Sequence, residues 1–255
     1  MARANELPRP LGRLSFAPVS PLAQYDSVWL HGAGLAGDTW HGITAGYRRA
    51  TTPDLPGHGT APMIAPPSVE AFAETLVPAL PQDVLLVGHS LGGMVALELA
   101  ARAPTRIAGL VLIEAVPTIR DRLSSCIAAA FAARIYKTIP PAWSARIFGL
   151  GQGAATRAEL NRQLARKGRH QIGAALDAAA RYDGRPRLSQ IKAPTLVIVG
   201  RDSTATHYGA GMIADGIEGA QFLRLPGGHM LHTDNPLQLR RAIEGFMRRA
   251  GDARA

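Results

Sequence analysis

The stretch VLLVGHSLGGMVALEL, residues 84–99, changes its pattern at its centre. Residues 84–87 are a short run of branched apolar side chains, which is typical of a strand buried on both faces of a parallel sheet. After the serine, apolar residues recur with the spacing of a helix that packs onto such a sheet. The stretch therefore predicts a strand, a tight turn at Ser90 and a helix.

The turn has the pattern G-x-S-x-G, with Gly88 before Ser90 and Gly92 after it. In so tight a reversal, a side chain at either glycine would collide with a neighbouring segment. The turn projects the Ser90 hydroxyl above the sheet, and the first amides of the helix point at whatever the serine attacks. This context favours a nucleophile elbow over a glycine-rich turn that merely contains a serine.

Length and composition favour one large globular α/β unit with an insertion. The chain has 255 residues, of which 47% are hydrophobic and 18% charged; this composition argues against wholesale disorder. Strand and helix patterns alternate over residues 27–113 and resume at residue 195, which predicts a mostly parallel central sheet flanked by helices. Residues 120–181 have the pattern of successive Ala/Arg-rich helices. We therefore expect a core of residues 1–116 and 188–255, and a helical cap of residues 117–187.

The positive charge of the chain is concentrated in this expected cap. The formal net charge is +9, and residues 117–187 hold 13 Arg or Lys against 4 Asp or Glu, while the remainder holds 15 of each sign. The arginines are not interleaved with aromatic residues, and no motif that reads DNA or RNA is present. The distribution argues against a nucleic-acid partner.

The sequence predicts a cytoplasmic protein without a membrane span. The N-terminal stretch has arginines but no apolar signal region, and the longest apolar runs, such as residues 127–133, are far shorter than the roughly 18 residues that a span needs. The single cysteine, Cys126, excludes an intrachain disulfide and is compatible with a reducing compartment. The sequence leaves the oligomeric state open.

A serine hydroxyl is a weak nucleophile at neutral pH, so Ser90 needs a base and a third group that orients the base. We predict that His229 is the base, because it directly follows the last predicted strand, behind two glycines that let the loop reach over the sheet. His232, three residues later, is the rival. We interpret His31, His58 and His89 as residues of the core or braces of loops.

Two carboxylates compete for the role of the orienting acid. Asp202 follows the strand at residues 195–200 and is the preferred candidate. Glu114, at the end of the strand that follows the elbow helix, is the alternative, because it also lies at a strand end. Its simpler role would be that of a hydrogen-bond acceptor or a polar wall of the pocket.

The oxyanion formed on a carbonyl needs two preorganised donors. We expect one to be the backbone amide of Leu91, directly after the nucleophile, and the other that of Ala33, in the glycine-rich turn at residues 31–34. His229 and His232 lack a third metal ligand, so we expect no metal site.

These motifs together resemble the α/β-hydrolase superfamily, specifically its small cap-bearing, esterase-like members. The resemblance covers most of the chain, through HGAG at 31–34, DLPGHG at 54–59, GHSLGG at 88–93, VIVGRD at 197–202 and GGHMLHTDNP at 227–236. In such relatives the catalytic histidine precedes an acidic residue by five positions and a proline by seven, as His229 precedes Asp234 and Pro236. The family acid usually stands in a pattern like G-x-x-D, whereas Gly200-Arg201-Asp202 is one residue shorter. The N-terminal hairpin of the family is truncated here to weak strand patterns around residues 11–16.

The resemblance implies hydrolysis through an acyl-serine intermediate without a cofactor. The broadest expectation is hydrolysis of a small-molecule carboxylic ester. The alternatives are a thioesterase or carbon–carbon bond hydrolase that uses the same triad, or a ligand-binding module with little turnover. The basic cap suggests an anionic acyl substrate or an acidic carrier protein, attracted by Arg157, Arg162, Arg166, Lys167 and Arg169. Surface helices that simply carry solvated arginines are the competing interpretation.

Overall fold

The structure, a computed structural model, describes residues 26–47, 49–121, 123–150, 152–164 and 169–252. The strand patterns expected around residues 11–16 lie outside these residues. Within them, six parallel strands form one sheet in the order β2-β1-β3-β4-β5-β6. The strands are β1 (Ser27–Leu30), β2 (Ala50–Thr51), β3 (Val84–His89), β4 (Ile107–Ile113), β5 (Thr195–Gly200) and β6 (Gln221–Leu225).

The helices connect these strands on both faces of the sheet. They are α1 (His41–Thr44), α2 (Val69–Leu76), α3 (Leu91–Arg102), α4 (Leu123–Thr138), α5 (Pro141–Phe148), α6 (Ala154–Leu164), α7 (Arg169–Arg181), α8 (Thr204–Gly216), α9 (Leu231–Asp234) and α10 (Pro236–Asp252). Short 3-10 turns cover Gly37–Trp40, Val77–Ala79, Pro104–Arg106 and Arg185–Gln190. None of the helices in the described ranges is long and apolar enough to cross a membrane.

The central strands are buried on both faces, as their uninterrupted apolar runs predict. Every residue of β3 and β4 is buried. Leu86 belongs to an apolar cluster that includes residues of α2 and α3, whereas its neighbours Leu85 and Val87 belong to a second cluster that includes residues of α10. Side chains on a strand alternate between the faces of a sheet, so one short segment contributes to two cores. This arrangement confirms the predicted α/β sheet covered on both faces.

Most predicted elements lie within a few residues of the observed ones. Ser68 caps α2 by accepting a hydrogen bond from the amide of Ala71 at 3.1 Å, as expected of a serine before a helix. The α-helix ends at Leu76 and passes into a 3-10 turn that contains Pro78. Proline lacks the amide that the next helical hydrogen bond would need.

Four helices, α4 to α7, are inserted between β4 and β5 in the region expected to be the cap. Ala145, Leu164 and Ile172 form a small apolar cluster of their own in this insertion. A further cluster joins the insertion to the rest of the chain through Leu160, which groups with Leu35 and Met230. The inserted helices therefore contact the segments that follow β1 and β6.

The strand–turn–helix at Ser90 depends on close backbone approach at both glycines. A Cβ atom at Gly88 would lie 2.3 Å from the carbonyl oxygen of Gly92, and one at Gly92 would lie 2.4 Å from that of Leu30. Both distances are far below a van der Waals contact, and both partners are backbone atoms that cannot rotate away. The turn therefore excludes a side chain at either position.

We expect Gly92→Ala to lower the free energy of unfolding by about 1–3 kcal/mol, the usual cost of overpacking, as measured by chemical denaturation. The matched control is Gly211→Ala, because Gly211 lies inside α8 and a Cβ there would meet nothing within 4 Å. The control should be neutral or stabilising, since alanine restricts the unfolded chain more than glycine does. Equal stability of the two variants would contradict the proposed close approach.

Candidate active site

The candidate functional residues converge at one edge of the sheet because all six strands are parallel. The carboxyl ends of the strands meet there, so the loops that follow them are neighbours. These loops contribute the turn at residues 31–34 after β1, Ser90 after β3, Glu114 after β4, Asp202 after β5 and His229 after β6. The sheet thus brings together residues that are up to about 200 positions apart in the chain.

Ser90 occupies the sharpest point of the elbow. Its backbone has φ 52° and ψ −116°, a conformation that non-glycine residues rarely adopt. The strain is held by the hydrogen bond from its amide to the carbonyl of Ile113 at 2.9 Å, and by those that its carbonyl accepts from Gly93 and Met94. Strain of this kind persists where the surrounding structure fixes it, which is common at functional sites.

His229 is carried by the segment of residues 226–230, which we call the His229 loop. His89 Nε2 lies 2.9 Å from the backbone oxygen of His229, and the amide of Gly228 donates to Asp234 Oδ2 at 2.9 Å. The imidazole itself is 41% exposed. The loop is therefore held by its backbone, while the ring remains accessible from the cavities described below.

Glu114 is the carboxylate beside the His229 ring. Its Oε2 lies 3.3 Å from His229 Nδ1. Oε2 also accepts hydrogen bonds from Ser203 Oγ at 2.7 Å and from Thr206 Oγ1, and Oε1 accepts one from the amide of Gly200. Burial by itself would raise the pKa of Glu114, but His229 and these donors outweigh burial and hold the pKa below its usual range. The buried carboxylate is thus kept ionised and pointed at the imidazole.

Asp202, the preferred candidate in the sequence, does not make this contact. Its side chain is exposed, and no hydrogen bond or ion pair joins it to His229 in the described part of the chain. The backbone amide of Asp202 donates to the carbonyl of Gly227 at 3.1 Å, immediately after β5 ends at Gly200. The structure therefore places Glu114, the alternative carboxylate, beside the imidazole and leaves the side chain of Asp202 exposed.

Ser203 helps to hold the Glu114 carboxylate beside His229. It stands three residues after Gly200, where the G-x-x-D pattern of similar proteins would have its acid. Its hydroxyl donates to Glu114, and Thr206, one turn along α8, does the same. Neither hydroxyl group was predicted from the sequence to contact the acid. The one-residue offset in Gly200-Arg201-Asp202 was the signal that could have found Ser203.

His232 is enclosed behind the site rather than exposed to it. It is only 5% exposed, and its Nε2 lies 3.0 Å from Thr39 Oγ1. Burial lowers the pKa of His232 to about 4. Its ring contacts those of Trp40 and His89, with ring centroids 5.0 Å apart in each pair. The structure therefore brings His229, and not His232, to the loops around Ser90.

His31 and His89 lie where the sequence predicted braces. His31 Nδ1 lies 2.9 Å from the carbonyl of Gly32, and its Nε2 accepts the amide of Leu55 at 3.0 Å. A Cβ at Gly32 would lie 2.7 Å from His89 Nδ1, so this turn and the elbow are in close contact. Burial lowers the pKa of His89 well below its ordinary value. Both side chains support loops of the site.

Ala33 and Leu91 share the cavity into which Ser90 opens. No hydrogen bond between described residues uses the backbone amide of either one. Leu91 is the first residue of α3, where the amides of a helix have no partner within the helix. Ala33 and Leu91, the oxyanion donors expected from the sequence, therefore line the same cavity as Ser90.

Two cavities meet at Ser90 and His229. The first has a volume of about 230 Å³ and an apolar wall that includes Met94, Val116 and Ile119. The second, of about 300 Å³, includes Leu35, Phe148 and Met230. Leu176, from the inserted α7, lines both. An ester bound at Ser90 can therefore extend to either side of the serine.

A third, more polar cavity of about 450 Å³ lies behind His229. Its walls include Gln152, Asp202, Ser203 and Asp234, but not Ser90. Among the described residues, no group of three or more His, Cys, Asp or Glu side chains has the geometry of a metal site.

The arginines singled out in the insertion differ in their surroundings. Arg162 is paired with Asp38 at 2.6 Å and with Glu159 at 2.6 Å, so its charge is compensated. Arg157 is exposed and donates to the carbonyl of Gln152. Arg166 and Lys167 lie outside the described residues, as does the side chain of Arg169. Arg162 is thus a structural ion-pair partner rather than an open charge.

A parallel sheet with a strained serine at a strand–helix elbow, and a histidine beside a buried carboxylate, defines the α/β-hydrolase class. The sequence profile of the Alpha/beta hydrolase family matches residues 28–242. This match covers most of the chain, and the chain belongs to that family.

Several known proteins are similar to the chain. A pimeloyl-[acyl-carrier protein] methyl ester esterase of Aromatoleum aromaticum is 48% identical over 96 residues, which are 36% of this chain and 38% of that protein. The chain thus spans less than two fifths of that relative's length in the match. The enzyme of the same name from Nitrosomonas europaea is 29% identical over 202 residues, which cover 72% of this chain and 80% of that protein.

Solved structures show the same fold at lower identity. MenH from S. aureus superposes with a TM-score of 0.79 at 22% identity, over 89% of this chain and 94% of its own. A thermophilic esterase from Thermogutta terrifontis has a TM-score of 0.76 at 22% identity, over 89% and 90% of the two chains.

The burial of His232 predicts a specific dependence of stability on pH. Its pKa is about 4 in the folded chain and about 6.5 when unfolded. Between these values the unfolded chain binds a proton that the folded chain does not, so the free energy of unfolding falls as the pH falls. We expect His232→Gln to flatten this decline, measured by urea denaturation between pH 7 and 4, by up to roughly 3 kcal/mol. Identical pH slopes for the variant and the wild type would contradict the prediction.

Proposed function

We propose that this chain is a serine hydrolase that cleaves carboxylic esters through an acyl-serine intermediate. The observation that carries the proposal is the set Ser90, His229 and Glu114, in which Glu114 lies 3.3 Å from His229 Nδ1 and the imidazole shares two cavities with Ser90. The esterases similar in sequence support the same reaction class.

In this proposal His229 Nε2 accepts the proton of the Ser90 hydroxyl as Oγ attacks the ester carbonyl. The amides of Ala33 and Leu91 donate to the oxyanion that forms. The tetrahedral intermediate collapses, the carbon–oxygen bond to the alcohol breaks, and His229 returns the proton to the leaving alcohol. A water molecule, deprotonated by the same imidazole, then attacks the acyl-serine, which releases the carboxylic acid and restores Ser90. Glu114 holds the imidazole in orientation and stabilises its protonated form.

The reactivity of Ser90 separates an enzyme from a binding module. A fluorophosphonate probe should label the wild type and should not label Ser90→Ala. We expect Ser90→Ala and His229→Ala to abolish turnover of a panel of acyl esters, while His232→Ala retains it in proportion to its folded fraction. Turnover that survives in Ser90→Ala would refute the acyl-serine mechanism, and preference for thioesters or vinylogous diketones would move the assignment to the alternative substrate classes.

The acid can be tested by exchanging the positions of the two carboxylates. We expect Glu114→Gln to lower kcat/KM by roughly 10²–10⁴-fold, because the imidazole loses its orienting charge, and Asp202→Asn to change it by less than about threefold. Adding Ser203→Asp to Glu114→Gln places a carboxylate where similar proteins have their acid. We expect kcat/KM of this double variant to be at least about tenfold higher than that of Glu114→Gln alone. A larger loss in Asp202→Asn than in Glu114→Gln would make Asp202 the acid.

For the substrate, we propose the methyl ester of an acyl chain borne by an acidic carrier protein. The similar esterases are named for pimeloyl-[acyl-carrier protein] methyl ester. The first cavity suits an aliphatic chain, because Met94, Val116 and Ile119 give it an apolar wall beside Ser90. This proposal is more specific than the expectation from the sequence, which was a small-molecule carboxylic ester.

The face of α4 and α5 supports a carrier-protein partner. Ile127, Phe131 and Arg134 are spaced four and three residues apart on α4, and all three are exposed. The same spacing in reverse repeats at Trp143, Arg146 and Leu150, which are exposed as well. Residues 122–158 contain five Arg or Lys and no Asp or Glu. Exposed apolar side chains beside exposed arginines fit an acidic protein surface.

Charge reversal distinguishes a carrier-borne ester from a free one. We expect Arg134→Glu and Arg146→Glu to raise KM about tenfold for a carrier-bound acyl methyl ester, and to leave KM for the free methyl ester of the same acid unchanged. Arg224→Glu, on exposed β6, is the control with the same change of charge. The carrier-specific effect should shrink as salt is added. Equal effects on both substrates, or none on either, would reject the carrier-protein partner.

A further inference from the structure

Asp234 was singled out by its spacing from His229, yet it has no part in the chemistry above. Its Oδ2 accepts the amide of Gly228, one residue before His229, at 2.9 Å. Its Oδ1 accepts a hydrogen bond from Thr156 Oγ1 at 2.5 Å. Thr156 belongs to α6 of the insertion and is completely buried. One carboxylate therefore links the inserted helix to the loop that carries the base.

A second set of contacts anchors the same helix on the opposite side of the site. Glu159 accepts the hydroxyl proton of Thr39 at 2.7 Å, and Arg162 and Gln163 each donate to Asp38 at 2.6 Å. Asp38 and Thr39 follow the turn that contains Ala33. Helix α6 thus spans from the loop after β1 to the His229 loop, and its position is fixed at both ends of the site.

We propose that Thr156 and Asp234 are positioning residues that couple α6 to the placement of the His229 imidazole. When α6 is seated, the Thr156 hydroxyl holds one oxygen of Asp234, so that the other oxygen is aimed at the Gly228 amide. Without that contact Asp234 is free to rotate, and the backbone directly before His229 loses its only side-chain acceptor among the described residues. The base is then less often in reach of Ser90, and misplacement of this kind lowers the rate of the chemical step rather than substrate binding.

The inference rests on the proposed role of His229 but not on the identity of the ester. Thr156→Val removes the hydroxyl at nearly constant volume, and Thr156→Ser keeps it. We expect Thr156→Val to lower kcat about tenfold or more with KM within about twofold, and Thr156→Ser to stay close to the wild type. Asp234→Ala should behave like Thr156→Val, because alanine has no side-chain acceptor for either donor. The double variant should be no worse than the poorer single variant, since both break one connection.

The control is Thr138→Val, at an exposed threonine of α4 whose hydroxyl donates to the carbonyl of Arg134 in its own helix. This variant should keep wild-type kcat and KM. Thr156 also lines the second cavity, so its substitution could change how an ester binds there. The rate at which a small fluorophosphonate labels Ser90 provides a second readout, which does not require an ester to occupy that cavity. We expect that rate to fall with kcat in Thr156→Val and to recover in Thr156→Ser.

Three results would overturn the coupling: unchanged kcat and labelling in Thr156→Val, equal losses in the serine and valine variants, or a change confined to KM. Unfolding temperatures of all variants show whether a loss of kcat merely follows a loss of folded protein. Failure of the proposed function is distinguishable, because it appears in the wild type as absent ester turnover or as turnover that survives Ser90→Ala. The labelling comparison still tests the coupling in the first of these cases.

Discussion

The structure depends on one close approach of backbone segments at the turn between β3 and α3. Gly88 contacts the backbone of Gly92, and Gly92 contacts the backbone at the end of β1, at distances that leave no room for a Cβ atom. This packing forces Ser90 into its positive φ and directs α3 away from the sheet edge. The same contact brings the turn that contains Ala33 against the start of α3. The positions of Ser90, of the first amides of α3 and of the loop after β1 are therefore set by a single steric constraint.

The parallel sheet extends this constraint to residues distant in the chain. Because every strand ends at the same edge, Glu114 and His229 reach the neighbourhood of Ser90 from separate loops. Glu114 has a positive φ of 52°, like Ser90, and is the second residue of the site held in an unusual backbone conformation. Four donors from β5, the start of α8 and the His229 loop surround its carboxylate. A buried charge is tolerated there because each oxygen has partners.

The insertion adds apolar walls and a polar clamp to this arrangement. Leu176 reaches down between the two cavities at Ser90, while α6 is tied to the loops after β1 and β6 by hydroxyl, carboxylate and guanidinium groups. Part of the positive charge seen in the sequence is neutralised by these contacts, because Arg162 pairs with Asp38 and with Glu159 of its own helix. The exposed arginines of α4 and α5 have a different setting, beside exposed apolar side chains. The positive charge of the insertion therefore occurs in two settings, in ion pairs such as those of Arg162 and on exposed surface such as that around Arg134. The net charge alone could not distinguish them.

The sequence by itself determined the α/β class, the strand–elbow–helix at Ser90, most of the element order and the loops that meet at the sheet edge. These features depend on hydrophobic periodicity and on glycines that local sterics require. Both can be recognised from a few consecutive residues. Only the tertiary structure decided which carboxylate lies beside His229. That choice depends on where β5 ends and α8 begins, because a shift of one residue turns Asp202 to solvent and brings Ser203 against Glu114. It also decided that His232 is buried and that Thr156 meets Asp234, since such contacts join segments whose distance no local pattern encodes.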